Sequence, residues 1–353
     1  INPLFSDSVY IDRLSRIPAV MEMPYNDIIR KFIDMYAGRL RNQVSFMLSA
    51  CNFYMPIFEE ALDAYGLPLE LRYLPIIESA LNPSAVSRAG ASGLWQFMIG
   101  TGKIYGLESN SLVDERRDPI KATWAAARYL KEMYDIYGDW NLVIAAYNCG
   151  PGTINKAIRR ANGETDYWKI YNYLPKETRG YVPAFIAANY VMTYYCDHNI
   201  CPMETNIPAS TDTVQVNKNL HFEQIADLCN VPLDQIKSLN PQYKKQIIPG
   251  DNKPYTLRLP IEAISTFIDR QDTIFAHRAD ELFRNRKTVA VKEISPSTRR
   301  ATTAVAGKGK PTYYKIKSGD TLSSIAEKYG VRVKDIQRWN GMSNTKIAAG
   351  KRL

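Results

Sequence analysis

The chain is poor in the residues that build disulfide frameworks and metal centres. Five cysteines in 353 residues are too few for a disulfide scaffold. No two of them have the short spacing of a zinc or redox pair, and three scattered histidines cannot complete such a site, so no metal or other cofactor is expected. Cys196 and Cys201 are spaced to close a small loop, given an oxidising compartment. Apolar runs are short, and none approaches the roughly 18 residues of a membrane-spanning helix. A leader is lacking too: the chain opens on Ile1, and the expectation is a mature or trimmed form whose export signal or lipid anchor lies outside it.

Acidic charge is in deficit, and unevenly so. The net charge is +9, and residues 284–310 carry eight Lys and Arg against a single acid, Glu293. That stretch is rich in Ser, Thr, Ala and Gly with little to bury, so 284–311 reads as a basic flexible linker. A solvated spacer and a segment resting on an anionic wall or membrane surface both fit this composition. The charge is not interleaved with aromatics and no recognition motif accompanies it, which argues against a nucleic-acid partner. The chain as a whole, 45% hydrophobic and 23% charged, is ordinary for a soluble protein of two or three domains.

What is present is mostly helical periodicity. Ile28, Ile29, Phe32, Met35 and Tyr36 recur at helical spacing, and Met47, Phe53, Phe58 and Leu62 point to further helices. Asp118-Pro119 is a helix start, followed by a stripe of Ala126, Leu130, Met133 and Tyr137 and a stop at Gly138. Further helices are expected over Leu142–Tyr147 and Val182–Tyr195. After Pro202 the texture changes and a repeat appears. Shifting the chain by 100 residues aligns Ile225, Ala226, Val231, Ile236, Asn240, Ile247 and Gly250 with Ile325, Ala326, Val331, Ile336, Asn340, Ile347 and Gly350. Each copy reads as a βααβ unit of about 40–50 residues, and the linker between them suggests a tethered array rather than a stacked solenoid.

Glu78 is the most informative single residue. It lies in the apolar run Leu71-Arg72-Tyr73-Leu74-Pro75-Ile76-Ile77-Glu78-Ser79-Ala80-Leu81, one turn before Asn82-Pro83. An acid in such a place is costly unless paired or neutral, and a neutral carboxyl is what glycosidic cleavage requires of its general acid. A position in the last helical turn, with the apolar Leu74, Ile77 and Leu81 around it, is expected to raise its pKa further.

Three motifs follow in order after Glu78-Ser79. They are Gly93-Leu94-Trp95-Gln96-Phe97-Met98, Ala146-Tyr147-Asn148-Cys149-Gly150-Pro151-Gly152, and Glu177-Thr178-Arg179-Gly180-Tyr181-Val182-Pro183. Together they resemble the catalytic domain of lytic murein transglycosylases of the membrane-bound D type, a lysozyme-like fold. The segment Tyr314-Lys315-Ile316-Lys317-Ser318-Gly319-Asp320-Thr321-Leu322 resembles a LysM module, a binder of N-acetylglucosamine-containing glycans. The fold class implied is α+β multidomain, an all-α lysozyme-like catalytic domain followed by two small βααβ modules. The expected boundaries are a helical extension over 1–65 packed on a catalytic domain over 66–202, a degenerate LysM-like module over 212–260, a helical segment over 261–283, the linker, and a LysM module over 312–353.

The resemblance implies a peptidoglycan lytic transglycosylase that acts as a monomer in the periplasm or at the inner face of the bacterial outer membrane, and leaves open whether an N-terminal anchor outside this chain holds it there. Glu78 would serve as general acid and then base. Ser79, Gln96, Met98, Tyr147, Asn148 and Tyr181 would contact substrate, Met98 being either a soft cleft wall or plain packing. Gly319, Asp320, Thr321 and Leu322 would line a glycan groove with Ile347 opposite. The first copy has Asn219-Leu220-His221-Phe222 at the groove position, so docking on the catalytic domain is its expected role. Trp95 is expected in the core. No second acid is read in the motifs, and Asp114, Glu115 and Asp118 are read as capping or ion-pair residues. A hydrolytic muramidase and a non-catalytic peptidoglycan-binding scaffold are the two alternatives.

Overall fold

The computed structural model describes residues 2–205, 207–284 and, toward the C-terminus, 314–316, 322, 325–326, 333–340 and 342. The chain divides into two compact units, Ile1–Glu293 and Ile294–Leu353. The basic linker after Arg284 lies outside the described residues, as do Gly319, Asp320, Thr321 and Ile347.

The first unit begins with helices α1 (Asp7–Ser15), α2 (Asp27–Ala37) and α3 (Arg41–Ala64). Asn26 starts α2 by accepting hydrogen bonds from the backbone N–H of Ile28 and Ile29, both at 3.0 Å. The stripe that suggested several helices after residue 40 forms one, α3, which carries Pro56 inside it. A proline there removes one helical hydrogen bond, and the buried Tyr54, Phe58, Ala61 and Leu62 around it hold the helix through packing. After a 3₁₀ turn over Leu69–Tyr73 come α4 (Leu74–Ser79) and α5 (Ile99–Ile104). The next, α6 (Pro119–Tyr137), has Asp118 as its N-cap and ends at Gly138 with φ +62°, as the sequence indicates. It is followed by α7 (Trp140–Cys149), α8 (Pro151–Arg160), α9 (Tyr167–Ile170), α10 (Lys176–Arg179) and α11 (Tyr181–Tyr194).

The centre of this region follows from α11. It is apolar on almost every side, and a helix of that kind must be surrounded. It packs on α2, α4 and α7, while α3 lies against α6. Trp95 is fully buried, edge-on to Phe58 at 5.3 Å, and its indole donates to Thr123 Oγ1 at 2.9 Å. That is its expected core place, with the polar handle satisfied.

The first repeat copy pairs β1 (Thr211–Val216) antiparallel with β4 (Tyr255–Pro260), and β2 (Asn219–His221) with β3 (Ile247–Pro249). Helices α12 (Phe222–Cys229) and α13 (Leu233–Leu239) lie between the strands in sequence. Short helices α14 (Ile261–Asp269), α15 (Gln271–Ala276) and α16 (Ala279–Leu282) follow. Gly250 is required by contact: a Cβ there would sit 2.2 Å from the carbonyl oxygen of Lys218. This copy docks on the helical region, as its altered loop suggested. Leu112 and Val113 from the segment before α6 enter its core, Asp114 N–H donates to Gln242 O and Lys244 N–H to Leu112 O (both 2.8 Å), and Lys253 pairs with Glu108 at 2.6 Å.

In the second unit, Ile316, Leu322, Ile325, Ala326 and Ile336 form a small core, with α17 (Val333–Trp339) beside it. The repeat is physical. Asn240 and Asn340 each turn their side-chain amide back to the carbonyl four residues earlier, Asn240 to Ile236 O at 2.9 Å and Asn340 to Ile336 O at 2.8 Å.

Candidate active site

Glu78 lies in the last turn of α4, where the sequence placed it. The helix stops because Ala80 and Leu81 both take left-handed backbone, φ +50° and +58°. Ala80 N–H donates to Ile76 O at 3.1 Å and Leu81 N–H to Pro75 O at 3.3 Å, which satisfies two of the terminal carbonyls. Glu78 therefore projects from a tight, fixed corner.

Its carboxyl is half-buried and accepts a hydrogen bond from the phenol of Tyr181 at the start of α11. Burial pushes its pKa from 4.5 up to about 7; the Tyr181 hydrogen bond draws it down, and the negative charge of Glu177 adds to the rise. Burial thus leads. The phenols of Tyr147 and Tyr181 are held well above their ordinary range, first by burial and then by the charge of Glu78, so both remain neutral donors.

The other motif residues grip one loop. Ser79 Oγ donates to Leu94 O at 2.9 Å and to Pro75 O at 3.0 Å. Tyr147 Oη donates to Trp95 O at 2.7 Å. Gln96, at φ +49°, donates to Gly93 O at 2.8 Å and Ala85 O at 3.2 Å. Side chains expected to reach toward a sugar thus fasten the Gly93–Phe97 turn against Glu78. From the far side, Arg116 donates to the carbonyls of Gly90 (2.9 Å) and Phe97 (3.0 Å) while paired with the buried carboxylate of Asp114 at 2.8 Å. Gly93 fits only as glycine: a Cβ would stand 1.7 Å from Arg116 O, and its φ is +89°.

A cleft of about 410 Å³ opens beside Glu78, with Ser79, Gln96, Tyr36, Gln43 and Val86 among its walls. Glu78, Ser79 and Gln96 are therefore brought together in it. Tyr181 and Tyr147 stand behind the carboxyl, and Asn148 accepts from Thr178 Oγ1 at 2.9 Å. Met98 is 45% exposed at the start of α5 and is not part of the cleft lining.

Two readings from the sequence need correction. The motifs do contain a second acid, Glu177, exposed in the first turn of α10 and close enough for its charge to act on Glu78. Leu322, expected along a glycan groove, is 2% exposed, because its side chain fills the small core of the second unit. Asp114, Glu115 and Asp118 serve as expected: Asp114 pairs with Arg116, Glu115 with Lys121, and Asp118 caps α6. Cys196 and Cys201 are exposed and not bridged. Thr178, Tyr36 and Gln43 were missed as site residues. The first stood in a quoted motif, whereas Tyr36 gave only a helix stripe and Gln43 no signal. No group of His, Cys, Asp and Glu among the described residues is arranged to hold a metal ion.

Residues 55–170 match the Transglycosylase SLT domain, residues 210–276 the LysM-like domain of lytic transglycosylase MltD, and residues 314–353 the LysM domain. Over 339 residues the chain is 31% identical to membrane-bound lytic murein transglycosylase D of Escherichia coli strain K12, an alignment spanning 94% of this chain and 70% of that protein. The chain belongs to the lytic murein transglycosylase family. It is also 33% identical over 124 residues to the soluble lytic murein transglycosylase of the same strain, covering 33% of this chain and 19% of that one. The solved 70 kDa soluble lytic transglycosylase of E. coli aligns over 40% of this chain and 24% of its own, at 29% identity and a TM-score of 0.36. In this transglycosylase the SLT match contains Glu78, Gln96 and Tyr147, whereas Glu177, Thr178 and Tyr181 lie beyond its end. The first repeat copy uses its altered loop internally. Asn219 bonds Asp251 at 2.6 Å, Leu220 and Phe222 are buried, and His221 caps α12 by accepting from Glu223 N–H.

Proposed function

We propose that this enzyme cleaves the β-1,4 bond between N-acetylmuramic acid and N-acetylglucosamine in peptidoglycan without water, leaving 1,6-anhydromuramic ends. The observation that carries the reading is a half-buried carboxyl, raised to about 7, at the wall of a cleft. Such a group keeps its proton in a large share of molecules at neutral pH and can still reach a substrate. Glu78 gives that proton to the glycosidic oxygen as the bond to C1 of the muramic ring breaks. The carbonyl oxygen of the substrate's own acetamido group bonds to C1 and holds the positive charge as an oxazolinium. Glu78, now a carboxylate steadied by the Tyr181 phenol, takes the proton of the C6 hydroxyl. O6 displaces the acetamido oxygen at C1, and Glu78 regains its starting state. The attack is intramolecular, a situation in which effective molarities on the order of 10⁵ M or more are reached.

Ser79, Gln96 and Tyr147 support this by fixing the corner opposite Glu78, and Asn148 through Thr178 by bracing the segment that carries Tyr181. The LysM module, through Gly319, Asp320, Thr321 and the segment near Ile347, would hold glycan weakly and keep the enzyme at its insoluble substrate. We place the protein in the bacterial envelope, as a monomer in the periplasm or at the inner face of the outer membrane, in keeping with the membrane-bound name of its E. coli relative. None of the described helices is long and apolar enough to cross a membrane.

A hydrolytic muramidase is the second reading, and Glu177 is the observation in its favour, because a hydrolase pairs its acid with a second carboxylate. Mass spectrometry of fragments released from purified peptidoglycan separates the two. Wild-type protein is expected to release anhydro-muropeptides, lighter by one water than hydrolysed fragments, and Glu78→Gln to release none. Reducing ends from the wild type, lost in Glu177→Gln, would establish the hydrolase instead.

A further inference from the structure

The cleft beside Glu78 has a second wall that the SLT match does not include. Tyr36 at the end of α2 and Gln43 in the first turn of α3 line it, together with Leu40 and Met47. All four precede residue 55, where that match begins. Tyr36 is only 7% exposed, and its hydroxyl makes no hydrogen bond to another described residue. Other buried polar atoms in the same condition are cut off from solvent, the hydroxyl of Tyr10 among them, but that of Tyr36 is not: its outlet is the cleft. A hydroxyl that meets solvent through the cleft is placed to exchange its water for a polar group of a bound ligand. Gln43 is exposed and presents a carboxamide, both donor and acceptor, to the same space. Leu40 and the buried Met47 set an apolar surface beside these two polar groups. A neutral phenol, a carboxamide and an apolar patch match an acetamido group, which offers a carbonyl, an N–H and a methyl.

We propose that Tyr36 and Gln43 form a sugar-binding wall that holds the acetamido-bearing saccharide next to the bond Glu78 cleaves. The inference rests on the glycan-cleaving reading above. Tyr36 is kept uncharged by burial, and its proximity to Tyr181 sets the wall beside the carboxyl's own partner. The saccharide so held is the N-acetylglucosamine on the leaving side, not the muramic ring whose acetamido oxygen bonds to C1, so the wall contributes to substrate affinity and not to the chemical step.

The test uses the full chain and solubilised, N-acetylated glycan strands, with anhydro-product release followed at varied substrate concentration. Tyr36→Phe and Gln43→Leu are each expected to raise KM about fivefold to tenfold while kcat stays within about twofold. The alkaline limb of the pH–rate profile and the thermal midpoint should not move. Gln43 is on the surface, so Gln43→Leu keeps the proposal testable if Tyr36→Phe folds poorly. Unchanged KM in both variants overturns the wall, as does a fall in kcat and thermal midpoint with KM fixed, which would make the residues structural. A wild type that releases no anhydro product removes the functional reading and the wall together. An active wild type with indistinguishable variants removes the wall alone.

Discussion

Glu78 and Tyr181 lie 103 positions apart and share one hydrogen bond, and the charge state of the site turns on it. With Glu78 protonated below about pH 7, the acid form predominates, so kcat/KM is expected to fall as pH rises through that value. Tyr181 donates to the anion and so lowers the pKa; in Tyr181→Phe the falling limb should shift to higher pH, which a pH–rate series would register. A downward shift would count against the assignment. The same carboxyl bears on stability. Its pKa is 4.5 in the unfolded chain and about 7 in the fold, so both states are protonated in acid and no cost arises there. As pH rises from 4.5 to 7 the unfolded chain releases its proton first, and folding loses about 3 kcal/mol. Glu78→Gln is therefore expected to unfold later than wild type at pH 8 and together with it at pH 4, measured by chemical denaturation. Glu78 was legible in the sequence because its apolar surroundings are local. Its partners were legible only as motifs: the bonds from Ser79, Gln96 and Tyr147 go to backbone carbonyls, whose positions no sequence pattern records. Glu177 was in plain view within a motif, but only proximity to Glu78 shows what its charge does.

At the scale of elements, the turn Gly93–Phe97 is pinned between the side chains of the motifs and Arg116. Arg116 is buried, satisfied by Asp114 and by two carbonyls of the turn and its approach. Arg116→Met would leave the Asp114 carboxylate buried without its partner, a change that typically costs 3–5 kcal/mol. A loss of that size in urea denaturation, together with reduced kcat from a loosened Gln96, is expected; a change below about 1 kcal/mol would show that the turn holds itself. Helix limits were readable where end signals were chemical, as at Asp118-Pro119 and Gly138 around α6. They were not readable in α3, where burial of Tyr54, Phe58 and Leu62 carries the helix through Pro56. Nor was the early stop of α4 visible, since Ala80 and Leu81 are not residues that favour left-handed backbone.

Across the whole molecule, the first repeat copy is built into the helical region through Leu112, Val113 and the Glu108 contacts, whereas the second belongs to a separate unit. Removing residues 294–353 should leave the unfolding transition of the remainder unchanged, by calorimetry, and reduce the fraction that sediments with sacculi about tenfold or more. Equal sedimentation would move glycan retention to the first unit. The two copies looked alike by spacing, and the Asn240 and Asn340 side chains confirm a shared frame. Their different employment was foreshadowed only by the loop at Asn219. The walls of the cleft carry one practical consequence. A fragment cut to residues 55–170, the stretch that matches the SLT domain, would keep Glu78 yet lose Tyr36 and Gln43 from one side and Tyr181 from the other. Such a fragment grafted into another protein would transfer an acid without its surroundings, because the walls of the cleft extend beyond the stretch that the SLT domain match covers.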